Sequence, residues 1–338
     1  MIKDFRFENF GPLTKIEGKK LANINIIIGA NSSGKTFLLK ALYSIIKSQE
    51  ETGRGNDKRD FSEILSEKLY WTFQADKLGD LVSKGSGKRL KASLSMQDNS
   101  SLAFEYGQDT SKKISPLHNN LSLRTANSVF LPPKEILSLG PVILKSALQD
   151  KVFGFDATYV DLLLALKNPT QNGRNYKAFK ESRIRLESMF TGRVEYDNMQ
   201  DKWIYKRGNS KFPIHTTSEG IKKIAILDTL LGNRYLTPDS VIFIDEPEAA
   251  LHPTAITQLL DIIDILAKQG LQIFIASHSY YVIKKLFLIA QQNQTTLPVF
   301  MQSDELWVQN DLLAGMPDNE IVNESIRLFE QELAVSLS

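Results

Sequence analysis

The spacing of apolar positions divides the chain into recognisable elements. Residues 2–21 read as a β-hairpin turning at Gly11-Pro12, and residues 24–28 (INIII) form a continuous apolar run, as in a strand buried on both faces. Leu38, Leu42 and Ile45 then recur at helical spacing through Ser48. Residues 50–60 are polar and rich in turn formers, which predicts a loop. The stretch from about 60 to 128 reads as β-rich. Leu90, Ala92, Leu94 and Met96 alternate with polar residues, as do Leu102, Phe104 and Tyr106, with a turn at Asp98-Asn99-Ser100 between them. A short strand at 128–131 is halted by Pro132-Pro133. Residues 139–167 and 175–190 predict helices, the second from Tyr176, Phe179, Arg183, Leu186 and Phe190, and 194–196 with 203–205 predict another hairpin. From Ser218 the pattern becomes α/β: a helix at 220–231, a strand at 241–245, a helix at 254–268, a strand at 271–276 and a helix at 280–290. Residues 318–333 form an acidic amphipathic helix with Val322, Ile326, Phe329 and Leu333 on one face.

Composition adds mostly exclusions. A length of 338 residues suits one large domain or two intimate lobes, and 42% hydrophobic with 24% charged residues is ordinary for a globular chain. A net charge of +2 means that any nucleic-acid surface must be local. The absence of cysteine excludes disulfides, thiolate metal sites and a cysteine nucleophile, and fits a reducing cytosol. The start, MIKDFRFENF, lacks the basic-then-apolar pattern of a signal peptide, and no run reaches the roughly 18–20 apolar residues of a bilayer span. A soluble cytoplasmic protein without a membrane partner is expected.

The candidate chemistry lies at two strings. GANSSGKT at 29–36 follows an apolar strand and opens a helix, the setting of a phosphate-binding loop. Gly29, Ala30, Asn31, Ser32, Ser33 and Gly34 would wrap phosphate with backbone N–H groups, because glycine allows conformations and close approaches that a Cβ blocks. Lys35 would meet the β- and γ-phosphates of ATP, and the Thr36 hydroxyl would ligate Mg²⁺. VIFIDEPEAALHP at 241–253 places Asp245 at the carboxyl end of a buried strand, a natural Mg²⁺ partner through water. Glu246 follows, positioned as general base toward the attacking water. The bland alternative makes these carboxylates helix caps.

What lies between the strings resembles one class of such proteins. Ser218-Glu219-Gly220 opens a helix just before the acidic strand and resembles the signature motif of ABC-type ATPases; His278 in IASHS ends the next strand, where that class keeps its switch histidine. DEPEAALHP resembles the DEPE-x-x-LHP run of the RecF/SMC/OLD branch, which includes prokaryotic AAA-family ATPases of anti-phage defence. Leu131-Pro132-Pro133-Lys134-Glu135 and the tail GMPDNEIVNESIRLF also look like that group. The resemblance implies an α/β P-loop NTPase of ABC-ATPase type with an inserted β-rich and helical arm. Its nucleotide lobe would comprise residues 1–60 and 216–338, and its arm residues 61–215. It implies a homodimer or higher homo-oligomer around two sandwiched ATPs. Ser218 and Gly220 would then touch the partner's γ-phosphate, His278 would serve the γ-phosphate in cis, and residues 249–252 would cross the interface. Two departures stand: no glutamine ends the strand near Phe130, leaving Glu135 or a more distant residue to substitute, and adenine has only Phe10 as an aromatic candidate, a residue equally suited to the core.

The same resemblance bounds what the ATPase drives. OLD nucleases carry a C-terminal Toprim domain with clustered acids, whereas Asp304-Glu305 and Asp318 here form no DxD pair, so no nuclease activity is expected. A stand-alone ATPase suggests a separate effector protein, a nuclease or toxin, for which this chain would be the sensor or regulatory subunit of an anti-phage complex. The alternative is a RecF-like ATPase acting on DNA, with Arg174, Lys177, Lys180, Arg183, Arg185 and Arg193 meeting phosphates. A transporter subunit is the weakest reading, given the chain's length and the signature's departure from Gly-Gly-Gln.

Overall fold

Strand β3 (Ile24–Ile28) is buried at every position, as its unbroken apolar run requires, and it lies inside a six-stranded sheet. The computed structural model describes all residues except 86, 116, 170–178, 190–191, 198–199, 201, 304–305 and 338. The sheet runs in the order β14 (Leu306–Asp311), β13 (Pro298–Ser303), β3, β12 (Gln272–Ser277), β11 (Val241–Asp245), β7 (Ser128–Leu131). All neighbours are parallel except the β13–β14 edge pair.

Because side chains alternate along a strand, this sheet serves two cores. Ile26, Ile28, Ile242, Ile244, Ile273 and Ile275 face one, against α4 (Ala157–Leu166), α6 (Glu219–Gly232), α7 (Pro253–Lys268) and α8 (Tyr280–Asn293). Ile27, Phe130, Phe243, Phe274 and Phe300 face the other, against α1 (Lys35–Glu51) and α2 (Phe61–Phe73). Phe243 and Phe274 stack there at 5.2 Å, and Tyr43 meets Phe130 and Phe243 edge-on. Helices on both faces of a parallel sheet make this a mixed α/β fold.

A second, antiparallel sheet closes the aromatic core. Its order is β2 (Leu13–Gly18), β1 (Ile2–Phe10), β4 (Leu90–Met96), β5 (Ser101–Tyr106), β6 (Leu117–Asn119). The stretch 61–215, expected as one inserted arm, therefore contributes to three places: β4–β6 extend the N-terminal hairpin, β7 joins the parallel sheet, and β8 (Arg193–Asp197), β9 (Lys202–Arg207) and β10 (Ser210–Pro213) form a small sheet of their own.

Three expectations change. Residues 61–73, grouped with the β-rich stretch, form α2; Asp60 accepts from Glu63 N at 2.8 Å while Glu63 accepts from Asp60 N, a capping box that outweighs the strand preference of its aromatic residues. The helix expected over 139–167 is broken into α3 (Gly140–Leu144), a π-helical turn at Lys145–Gln149, and α4, which restarts where Asp156 caps Thr158 N. Phe10 is fully buried, edge-on to Phe37, and belongs to the core rather than to a base-stacking surface. Of the helix expected over 175–190, α5 (Lys180–Met189) is described; Arg174, Tyr176, Lys177 and Phe190 lie outside the described residues, as do Asp304 and Glu305. α9 (Glu320–Leu337) follows the edge strand. Among the described residues, no helix is long and apolar enough to cross a membrane.

Candidate functional site

Strand β3 delivers the chain into the 29–34 loop, and α1 leaves from it at Lys35. Gly34 adopts φ +93°, a conformation that favours glycine, and a Cβ there would also stand tightly against Leu13 and Pro12, at 3.2 and 3.3 Å. Lys35 is 6% exposed, and its Nζ donates to the carbonyls of Gly29 (2.9 Å) and Ala30 (2.7 Å). Burial lowers its pKa, while Asp245, Glu246 and Glu248 oppose that shift. The next residue, Thr36, donates from Oγ1 to Asp245 Oδ2 at 2.8 Å.

Asp245 ends β11 almost wholly buried. Burial raises its carboxyl to about 6 against the Thr36 hydrogen bond. Its Oδ1 is buried with no partner among the described residues, as is Ser33 Oγ. Orphaned polar atoms at the head of a glycine loop, beside a lysine and a hydroxyl, have the donors and acceptors that a nucleotide and a divalent cation need. A cavity of about 400 Å³ opens above them, lined by the 31–36 loop and, on the facing walls, by Phe37, Lys40, Phe73, Gln74, Asp156 and Glu246.

Glu246 sits at φ +48°, an unusual conformation for a non-glycine residue. Three contacts hold it there: its N–H donates to Ala276 O at 2.9 Å, its carbonyl accepts from Lys223 Nζ, and its Oε1 lies 3.3 Å from His278 Nδ1. Burial lowers the Lys223 pKa to about 8. Glu248, which the sequence reading left without a role, accepts from Ser277 Oγ (2.7 Å) and from His278 N (3.1 Å), so the second glutamate of DEPE fixes the histidine's backbone.

Lys35, Thr36, Asp245, Glu246 and His278 thus come together. Ser218 and Gly220 do not join the cavity lining. Ser218 is exposed and caps α6 through Ile221 N, and a Cβ on Gly220 would lie 2.8 Å from Ala250 O. Gly220 is small because the 249–252 turn crosses it. His252 caps α7 through Thr254 N. Glu135 is paired with Lys222 at 3.1 Å and accepts from Ser138 N, a structural engagement. The residues that sequence reasoning missed on the facing wall, Lys40, Phe73, Gln74 and Asp156, carry no motif; Asp156 is legible only as a helix cap, and here it also accepts from Lys40 Nζ at 2.7 Å.

Residues 24–284 match the model of the family described as "AAA domain, putative AbiEii toxin, Type IV TA system". No curated protein matches the chain. Among solved structures, the SMC head bound to the C-winged helix domain of ScpA is 15% identical with a TM-score of 0.55, covering 92% of this chain and 97% of that one. An SMC head with an extended coiled coil, bound to the C-terminal domain of ScpA derived from Pyrococcus furiosus, is 12% identical with a TM-score of 0.53, covering 98% of both. The RecF–ATP structure from the RecFOR pathway is 14% identical with a TM-score of 0.47, covering 91% and 97%. The SMC-head likenesses show that the fold is that of an ABC-type P-loop ATPase.

Proposed function

The chain belongs to this AAA-domain family, and from that premise we propose that it binds ATP with Mg²⁺ in the cavity above the 29–36 loop and hydrolyses it. The observation that carries the reading is the Thr36–Asp245 contact with Asp245 Oδ1 left unpartnered beside it. Lys35 exchanges its two carbonyl partners for β- and γ-phosphate oxygens, and the 29–34 backbone receives the rest of the phosphates. Thr36 and Asp245 hold the cation, which when bound neutralises phosphate charge. Glu246 accepts the proton of the attacking water, and His278, 3.3 Å from it, serves the γ-phosphate side.

Ser218 and Gly220 then act on the nucleotide of a second copy, in an ATP-dependent homodimer. The exposure of Ser218 at the start of α6 supports that arrangement. The assembly works in the cytoplasm with a separate effector, a nuclease or toxin, as the regulatory subunit of a defence system. A family description that names a putative toxin and a type IV toxin–antitoxin system supports this setting. An SMC head bound to a domain of ScpA supports the use of such a head to engage another protein. The alternative, a RecF-like ATPase on DNA, draws on a basic face whose described arginines are already paired: Arg183 with Asp228, Arg185 with Glu181 and Arg193 with Glu195.

The deciding experiment compares wild type and Glu246→Gln for ATP retention, turnover and mass in solution. Retained ATP, turnover reduced about a hundredfold or more and a stable dimer are expected. Unchanged turnover would remove Glu246 as the base. Duplex DNA that binds and stimulates turnover at low salt would favour the RecF-like alternative.

A further inference from the structure

Among the described residues, helix α9 is packed on the core near its start. Val322 is its one buried residue, Ile321 and Met316 pack on the core beside it, and Asn319 accepts from Ile321 N at 2.9 Å. Beyond that turn, Ile326, Phe329 and Leu333 are 51%, 59% and 44% exposed. With Val322 they follow the four-three-four spacing of a coiled-coil seam. A helix of 18 residues is about 27 Å long, and this one carries its stripe away from the body that anchors it. An exposed apolar stripe of this regularity marks an interaction surface.

Charge decides among the occupants. In this register the positions flanking the seam are Asn323, Ser325, Glu330, Glu332 and Leu337, without a cation among them. Glu320 and Glu324 add to the acidic surface, and the helix's one arginine, Arg327, is already bound to Glu324 at 2.7 Å. A lipid surface attracts amphipathic helices whose polar flanks are basic, the reverse of this one. A second α9 in parallel would set Glu330 against Ser325 and Glu332 against Leu337, so neither glutamate would gain an opposite charge. A helix with apolar a and d positions and Lys or Arg at e and g matches both the stripe and its rim.

We infer that α9 is the docking helix for a basic amphipathic helix of a separate protein. The inference names a surface for the proposed effector and rests on that reading for the partner's existence; it does not depend on ATP hydrolysis.

The test uses the full chain and two fluorescent three-heptad peptides with Leu at a and d, one with Lys and the other with Glu at e and g. Anisotropy should show saturable binding of the basic peptide, weakened by salt, and little binding of the acidic one. The triple variant Ile326→Ser, Phe329→Ser, Leu333→Ser changes only exposed side chains and should weaken binding about tenfold or more. Glu330→Lys with Glu332→Lys should reverse the peptide preference. Equal binding of both peptides, binding undiminished in the triple variant, or no binding would overturn the assignment. So would a wild-type dimer that the triple variant abolishes in the absence of nucleotide, since the stripe would then serve a second copy. Binding of a fluorescent ATP analogue by the same proteins keeps the outcomes separable: the α9 variants should bind it as wild type does, and its failure to bind at all would count against the ATPase reading alone.

Discussion

The Thr36 hydroxyl lies 2.8 Å from Asp245 Oδ2, and through it the first turn of α1 is tied to the end of β11. The two residues are separated by most of the chain, yet Asp245 ends β11 and Thr36 follows β3 by way of the 29–34 loop, so both lie at the carboxyl ends of parallel strands, where an open α/β sheet gathers its ligand groups. Thr36→Val removes the donor and takes from a buried carboxylate its hydrogen bond to the Thr36 hydroxyl. A loss of about 2 kcal/mol in stability is expected, together with turnover reduced about a hundredfold, while Thr36→Ser retains both. Thermal melts and phosphate release read the two effects separately; a stable but inactive Val variant would mean that the contact serves catalysis alone.

Asp245 itself costs stability. Its folded carboxyl titrates at about 6 where an unfolded one titrates at 3.8. Above pH 6 both states are ionised and the native state bears the full penalty of a buried charge; below 3.8 both are protonated and the penalty is gone. Asp245→Asn should therefore stabilise the nucleotide-free protein at pH 7 by about 3 kcal/mol, an advantage that fades as pH falls from 6 to 4, while abolishing turnover. Melts of both proteins across that range check it. An Asn variant no more stable at pH 7 would show that Asp245 is not strained by burial.

Lys223 holds the carbonyl of Glu246, the residue at φ +48°. Its charge is lost as pH rises through about 8. Turnover should fall above that pH, and Lys223→Arg, which stays charged, should move the fall upward. Lys223→Met should lower kcat with little change in the affinity for ATP, because the lysine contacts the loop that carries the proposed base, Glu246, and not the phosphate-facing loop. A pH profile unchanged in the Arg variant would remove Lys223 from this role.

The parts of the site that are local in sequence were readable there, and those assembled by packing were not. The proposed phosphate loop at 29–36 and the 241–245 strand declare themselves because phosphate binding needs glycine, lysine and hydroxyl in a fixed order, and because a strand buried on both faces is apolar along its run. The facing wall of the cavity has no such grammar. Phe73 and Gln74 reach it because α2 forms, and α2 was hidden among Phe, Tyr, Trp and Thr residues that favour strands, although Asp60 and Glu63 spell a capping box. Asp156 reaches it because a helix expected to run unbroken stops and restarts there. The alternation over 90–106 correctly marks strands, but alternation does not say which strand lies next to them; their pairing with β1 is a long-range choice made by the aromatic core. From the sequence Gly220 is expected to touch a partner's γ-phosphate, and within one chain a Cβ there would already meet the Ala250 carbonyl at 2.8 Å.

The wall that the sequence did not declare is braced by a buried ion network. Lys68 of α2 reaches Glu51 of α1 at 2.9 Å and Asp161 of α4 at 3.0 Å, and Tyr43 of α1 donates to the same Asp161 oxygen at 2.7 Å. Burial pushes the Asp161 carboxyl up, but the charges of Lys68 and Lys47 outweigh it and hold the group below its ordinary range. Removing one member strands the other: Lys68→Met should cost about 3–5 kcal/mol, whereas Lys68→Met with Asp161→Leu should recover most of that loss by replacing the pair with apolar packing. The same helix α4 carries Asp156, bound to Lys40 at the rim of the cavity. If the network positions that rim as well as stabilising the fold, the double variant will be stable yet will bind ATP more weakly than wild type. If it only stabilises, ATP affinity will return with stability. Equilibrium unfolding and nucleotide titration of the single and double variants separate the two, and a double variant as unstable as the single one would show that the charges, rather than the packing around them, hold α1, α2 and α4 together.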